Sequence, residues 1–171
     1  MGDIDLSSLG TLTSSLIMGD FAGELNGNGY SIKNLTIDTT VAIGGGDVAL
    51  FEHLGIGAKI QNISITNANI NSKWSAAILA VQIDASPIGE GTSVIIDNVY
   101  VQGNVTANDG DGGGLVAIAN ASTVSSNIQP NIFFSNITAD VNVTVNNGCA
   151  GGIAGILNDG ILLKNSSSSG T

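Results

Sequence analysis

Arginine is absent from the 171 residues, and the only fixed cations are four lysines, Lys33, Lys59, Lys73 and Lys164. Against them stand 14 carboxylates, which leaves a formal net charge of −10. A nucleic-acid surface needs clustered cations to neutralise phosphates, so that class of partner is excluded. Adhesion to an anionic membrane is disfavoured for the same reason. Cys149 is the one cysteine, so neither an intramolecular disulfide nor a cysteine-based zinc site can form within the chain. In its Gly148-Cys149-Ala150-Gly151 setting it is expected to be a buried small hydrophobe. His53 is the one histidine, which rules out the paired histidines of an H-E-x-x-H zinc site. No apolar run reaches the roughly 20 residues of a membrane-spanning helix. The start, Met1-Gly2-Asp3-Ile4-Asp5, lacks a basic n-region and an apolar h-region. If the parent protein is secreted, the chain is therefore expected to be an internal piece with Met1-Gly2 added, whereas a native full-length chain would be cytosolic.

What is present is apolar and small. Hydrophobic residues make up 43% and charged residues 11%, with 24 glycines and only 2 prolines. That balance describes a chain with a real core and many tight turns, not a disordered one. An acidic, polar surface of this kind suits high-salt or extracellular settings.

The chain repeats. A pattern of apolar, any residue, Asn, then apolar-x-apolar runs Ile32-Lys33-Asn34-Leu35-Thr36-Ile37 and Ile60-Gln61-Asn62-Ile63-Ser64-Ile65. It returns at Ile96-Asp97-Asn98-Val99-Tyr100-Val101 and Phe134-Ser135-Asn136-Ile137-Thr138-Ala139, and a degraded copy begins at Leu163-Lys164-Asn165. Between these lies a second signature: Ala49-Leu50-Phe51, Ala77-Ile78-Leu79, Gly114-Leu115-Val116 and Gly152-Ile153-Ala154. It follows the Asn by 16 residues in the first two copies and by 17 in the last two. Extra residues fall after it, at 84–94 and 120–131, in turn-forming compositions. Constant strands with variable loops at one corner predict a stacked repeat. Short Ile-, Val- and Thr-rich segments alternating with period two make the repeat β, not helical. The expected fold is an all-β, right-handed parallel β-helix of about four to five coils. A β-sandwich, the main alternative, does not explain the fixed offset. One domain is expected over 1–171: an opening strand and turn at 1–20, coils at 21–165 and a Ser-rich tail at 166–171. Like residues should stack into columns, Ile32, Ile60, Ile96, Phe134 and Leu163 in one, Leu35, Ile63, Val99 and Ile137 in another. The asparagines should form a hydrogen-bonded ladder at a bend, side chains inward.

Two stretches carry a family resemblance. Phe21-Ala22-Gly23-Glu24-Leu25-Asn26-Gly27-Asn28-Gly29-Tyr30-Ser31-Ile32-Lys33-Asn34-Leu35, preceded by Asp3-Ile4-Asp5-Leu6-Ser7, resembles the opening of GLUG-motif repeat regions. Gly113-Gly114-Leu115-Val116-Ala117 and Gly151-Gly152-Ile153-Ala154-Gly155 resemble the motif's G-G-L-V-G core. Departures lie at Ser75-Ala76-Ala77-Ile78, where two glycines are expected, and at Val48-Ala49-Leu50-Phe51. Such repeats occur in bacterial and archaeal surface proteins, adhesin-like proteins and the non-catalytic part of IgA1-cleaving metalloproteases. The resemblance implies a β-helix at the cell surface or outside the cell, serving as a stalk or as an adhesive surface for a host or neighbouring-cell glycan or protein.

No catalytic residues are expected. No G-x-S-x-G surrounds any serine, so a serine triad around His53 has no motif behind it. His53 is expected at a coil edge beside Phe51. A glycan-cleaving pair of carboxylates is sought in Asp97 and Asp140, which fall in different columns. The most suggestive cluster is Asn108-Asp109-Gly110-Asp111, where Asp109 and Asp111 with flexible carbonyls are a candidate Ca²⁺ site, and no other cofactor is expected. Seven N-x-S/T sequons occur, at Asn34, Asn62, Asn104, Asn120, Asn136, Asn142 and Asn165, with Asn104 and Asn142 expected to be reachable. The expected function is a non-catalytic extracellular repeat module. The alternatives are a subunit that stacks end to end into fibres and a glycan-active β-helix enzyme.

Overall fold

The computed structural model describes residues 2–85, 93–121 and 131–171. Apart from one 3-10 turn, Ser7–Leu9, its regular elements are strands, and every pairing between them is parallel. The chain opens with β1 (Ile4–Asp5) and β2 (Ile17–Phe21). It continues through β3 (Glu24–Asn26), β4 (Ser31–Lys33), β5 (Thr36–Asp38) and β6 (Phe51–Leu54). Three complete coils follow. They are β7 (Lys59–Ser72), β8 (Ala76–Ala77) and β9 (Ala80–Ala85); β10 (Val94–Ala107), β11 (Gly112–Gly113) and β12 (Val116–Ala121); and β13 (Ile132–Val145), β14 (Ala150–Gly151) and β15 (Ala154–Leu157). β16 (Ile161–Lys164) and β17 (Ser167–Ser169) begin a further turn.

These strands stack into three sheets that run along one axis. The long face follows β1-β4-β7-β10-β13-β16, with β3 and β5 also on β7 and β17 on β13. A corner sheet is β8-β11-β14, and the short face runs β2-β6-β9-β12-β15. This is the parallel β-helix expected from the repeat. The four to five coils resolve into about three complete turns with partial turns on either side. The inserts at 84–94 and 120–131 leave the short face at Ala85 and Ala121, and most of their residues lie outside the described ones.

Alternation places one set of side chains inside. β10 reads buried-out-buried along most of its length, and Ile60, Ile96 and Phe134 stack in register with almost no exposure. Leu163 continues that column on the far side of Phe134. Ile63, Val99 and Ile137 form the second column. At the second signature, Leu79, Leu115 and Ile153 occupy successive layers. The true offset from Asn62, Asn98 and Asn136 is therefore a uniform 17 residues, and the apparent 16 at Asn62 was a one-residue slip within Ala77-Ile78-Leu79.

The first turn departs from the expected register. Leu25, not Ile32, pairs with Ile60, and Ile32 pairs with Ile65. Leu35 therefore leaves the Ile63 column. The cause is the turn Asn26-Gly27-Asn28-Gly29-Tyr30, in which Asn28 and Gly29 take left-handed backbone (φ 51° and 81°) and Tyr30 N–H closes on Gly27 O at 2.9 Å. A side chain at Gly27 would lie 2.5 Å from Asn62 O, so only glycine lets this turn fold against the next coil.

The asparagine ladder exists, but on the outside. Asn34, Asn62, Asn98, Asn136 and Asn165 all have positive φ, between 48° and 63°. That conformation bends the strand and turns the amide outward, so these side chains do not point into the core as expected. Asn98 and Asn136 are exposed, and Asn34 and Asn62 are half-buried. The amides bond along the axis: Asn98 Nδ2 donates to Asn62 Oδ1 (2.9 Å), Asn62 to Asn26 (3.2 Å), Asn67 to Asn34 (2.7 Å) and Asn34 to Asp5 (2.8 Å). Replacing Asn98 with Leu is expected to destabilise by about 1–3 kcal/mol, from the left-handed backbone and the lost bond together. Asn98→Gly keeps the backbone free and should lose about 1 kcal/mol. Equal melting temperatures for both variants and the parent would remove the ladder from the energetics.

Cys149 is also outside. It is exposed, at the corner between β13 and β14, and its backbone rather than its thiol is engaged: its N–H donates to Asp111 Oδ1 (2.9 Å) and its carbonyl accepts from Gly112 N (2.8 Å). The small-residue context reflects the tight corner, not burial.

Candidate functional site

The outer surface of the short face gathers polar side chains, of which the sequence singled out only His53 and the sequon residue Asn120. In parallel register, Asp20, His53 and Gln82 lie on successive coils, and Asp84 and Asn120 pair two positions further on. His53 sits in β6, two residues beyond the buried Phe51, with its side chain on the outward side. Its Nδ1 meets Asp20 Oδ1 from β2, and its Nε2 meets Asp84 Oδ2 from β9 at 2.9 Å. Gln82 Nε2 also donates to Asp84 Oδ2, at 2.7 Å. The His53 side chain is 23% exposed, Asp84 44% and Asp20 75%. Burial disfavours charge on the imidazole. The hydrogen bonds to Asp20 and then Asp84, together with their negative charges, outweigh it and raise the His53 pKa above its ordinary 6.5.

Beside this group runs an open trough of about 750 Å³, bounded by Asp20, His53, Asp84, Asn120 and Asn158 among others. Ala22 and Gly55 also line it. Asn158 Nδ2 donates to Asn120 Oδ1, so the amides here form a second ladder. Because coils repeat about every 4.8 Å, the trough crosses five layers and offers polar groups at that spacing. Counted from the aligned residues Phe51, Ala80, Val116 and Ala154, the positions two and four further on are His53 and Gly55, Gln82 and Asp84, Ile118 and Asn120, and Ile156 and Asn158, which include the polar groups of the trough.

Of the residues singled out from sequence, His53 and the sequon residue Asn120 line the trough, while Asp97, Asp109, Asp111 and Asp140 lie apart from it. Asp109 is exposed in the turn after β10, and Asp109 N–H donates to Lys73 O (3.0 Å). Asp111 is half-buried and belongs to a corner stack: its N–H donates to Ser75 Oγ (3.3 Å), and its Oδ1 accepts from Cys149 N. Asp47 does the same two turns earlier, accepting from Ser75 N at 2.7 Å. Among the described residues, no three or more His, Cys, Asp or Glu side chains converge to hold a metal ion. Asp97 accepts from Ser135 Oγ (2.6 Å) and Asn136 Nδ2 (2.8 Å), while Asp140 accepts from Ser169 Oγ (3.1 Å). The two carboxylates stand in separate columns, as expected. Of the sequons, Asn104 and Asn142 are exposed, and Asn142 Nδ2 donates to Asn104 Oδ1 (3.1 Å). Among the described residues, no helix is long and apolar enough to cross a membrane.

A protein named halomucin, from Haloquadratum walsbyi (strain DSM 16790 / HBSQ001), is 38% identical to this chain over 96 residues. The match covers 54% of the chain and 1% of that protein, so the chain spans a very small part of its relative. No family model matches the chain, and no solved structure matches it significantly.

Proposed function

We propose that this chain is a non-catalytic β-helical repeat module of an extracellular or cell-surface protein. It acts as a rigid spacer that displays the short-face trough as an adhesive, ligand-binding surface. The observation that carries this reading is where the polar side chains spend their hydrogen bonds. The asparagines, Asp97, Asp111 and His53 all bond along the axis to the neighbouring coil. Groups committed in this way stiffen a stack; they are not free to attack a substrate. A general base needs an open lone pair aimed at a substrate proton, and both ring nitrogens of His53 already face carboxylates. The likeness to halomucin and the resemblance to GLUG-type repeats support a surface location, and the acidic, arginine-free composition fits such a setting.

The test is paired. The purified chain is incubated with a panel of neutral, acidic and amino polysaccharides and assayed for new reducing ends or unsaturated products, while its shape is followed by small-angle scattering. The expected result is no turnover and a monodisperse elongated particle. Cleavage that disappears in Asp84→Asn would overturn the non-catalytic reading. A particle that lengthens with concentration would replace the spacer with an end-to-end assembly unit.

A further inference from the structure

Neutral imidazole carries one N–H and one lone pair, so it can donate to only one carboxylate. His53 faces two, one at each nitrogen, which come from different coils. With a single proton, the lone pair on the other nitrogen would point at a carboxylate oxygen, which is repulsive. The arrangement therefore favours the doubly protonated imidazolium between two carboxylates.

The two contacts are not equivalent. Asp84 lies on β9, inside the stack, and also accepts from Gln82. Asp20 is the more exposed and lies on β2, which pairs only with β6 among the described residues. The register of β2 with β6 shifts between Ile17 and Asp20, and β2 is held by Ile17 N–H to Leu50 O (2.9 Å), Gly55 N–H to Phe21 O (2.9 Å), Gly19 N–H to Glu52 Oε2 (2.7 Å) and the Phe21–Phe51 ring contact (4.9 Å between centroids). The charged groups around His53 are Asp20 from β2, Asp84 from β9 and its own neighbour Glu52, with Asp47 in the adjoining hollow. All are acidic and none is a lysine.

We infer that His53 is a proton-operated latch: as imidazolium it fastens the outer strand β2 to β6 and β9, and on losing a proton it keeps Asp84 and releases Asp20. This holds whether or not a ligand occupies the trough, although the latch forms one of its walls. The direction in pH follows from the raised pKa. The fastening is complete below about 6.5, the ordinary histidine value, and is lost as pH rises through the higher folded-state value.

Two measurements test it. Ring ¹⁵N shifts of His53 report the protonation state of each nitrogen. Amide hydrogen exchange at Asp20 and Phe21, expressed as protection relative to amides of β12, reports whether β2 is fastened. Between about pH 5.5 and about pH 8.5, the protection of β2 should fall by about tenfold or more in step with the ring titration, with β12 as the internal reference. In Asp20→Asn, the pH dependence of β2 should vanish and the His53 titration should move to lower pH. A neutral ring at about pH 5.5, or a β2 protection ratio that is flat across the titration, overturns the latch. Because Asp20 is a surface side chain, the variant should fold; the parent titration is decisive on its own in any case.

Discussion

Replacing Phe134 with alanine is expected to cost about 3–5 kcal/mol, measured as the shift in chemical-denaturation free energy. Phe134 is among the largest fully buried side chains, with 1% exposure, and lies in β13 between Ile96 and Leu163. Its ring occupies a layer of the core in the middle of a stack. Removing it loses the transfer free energy of the ring and leaves a cavity that flanking coils can close only by breaking their own register. The neighbouring residue is the control. Phe133 alternates to the outer side of the same strand and is half-buried, so Phe133→Ala should lose far less. A stacked solenoid couples each coil mainly to its neighbours. The damage should therefore show first as lost protection in β10, β13 and β16, with the β2–β6 region holding longer. Equal losses for Phe133→Ala and Phe134→Ala would mean that the assigned faces of β13 are wrong.

The faces of the strands were legible in the sequence because a parallel stack repeats its chemistry. Ile60, Ile96 and Phe134 occur at the same point of the same pattern, and the structure places them in one column. Glycine and asparagine spacing likewise announced the corners. Three things were not legible, each for a physical reason. The first-turn register was not legible because only Ile32-Lys33-Asn34 carries the apolar-x-Asn pattern, whereas Leu25, which meets Ile60, is followed by Asn26-Gly27 and owes its place to the compact turn at Gly27 to Tyr30. The ladder's exposure depends on the sign of φ, which the letter Asn permits either way. The His53 group was hidden because its three members lie 33 and 31 residues apart, with no motif joining them. Composition drew attention instead to Asp109 and Asp111, which are two residues apart in sequence but belong to a turn and a corner stack.

Gly103→Ala should be among the most damaging single-atom changes in the chain, because of a kink that is transmitted from coil to coil. Asn34 and Asn67 both take left-handed backbone (φ 63° and 54°) and stack on each other through the Asn67 Nδ2 to Asn34 Oδ1 bond. On the next layer the kink stops. Val101 pairs with Ile65 and Gly103 with Ala68, so Gln102 alone spans Thr66 and Asn67, and its Oε1 accepts from Asn67 N at 2.8 Å. Beyond it, β10 and β13 run in unbroken register, with Val141 opposite Gly103. Gly103 is thus the residue at which a bulged coil meets a regular one. Its φ is 154°, and an added Cβ would lie 2.1 Å from Ala68 O and within 3 Å of two further backbone atoms of Ala68. No rotamer change relieves a collision with backbone, so the strand pair itself must separate. Backbone strain and overpacking cost about 1–3 kcal/mol each, and a combined loss of about 3 kcal/mol or more is expected. Gly29 supplies the comparison. It also has positive φ (81°) but nothing within 4 Å of its missing Cβ, so Gly29→Ala should lose only about 1 kcal/mol from the backbone term. Thermal denaturation of the two variants side by side separates strain from collision. If Gly103→Ala loses no more than Gly29→Ala, the close approach of β10 to β7 at Ala68 is not the constraint that selects glycine.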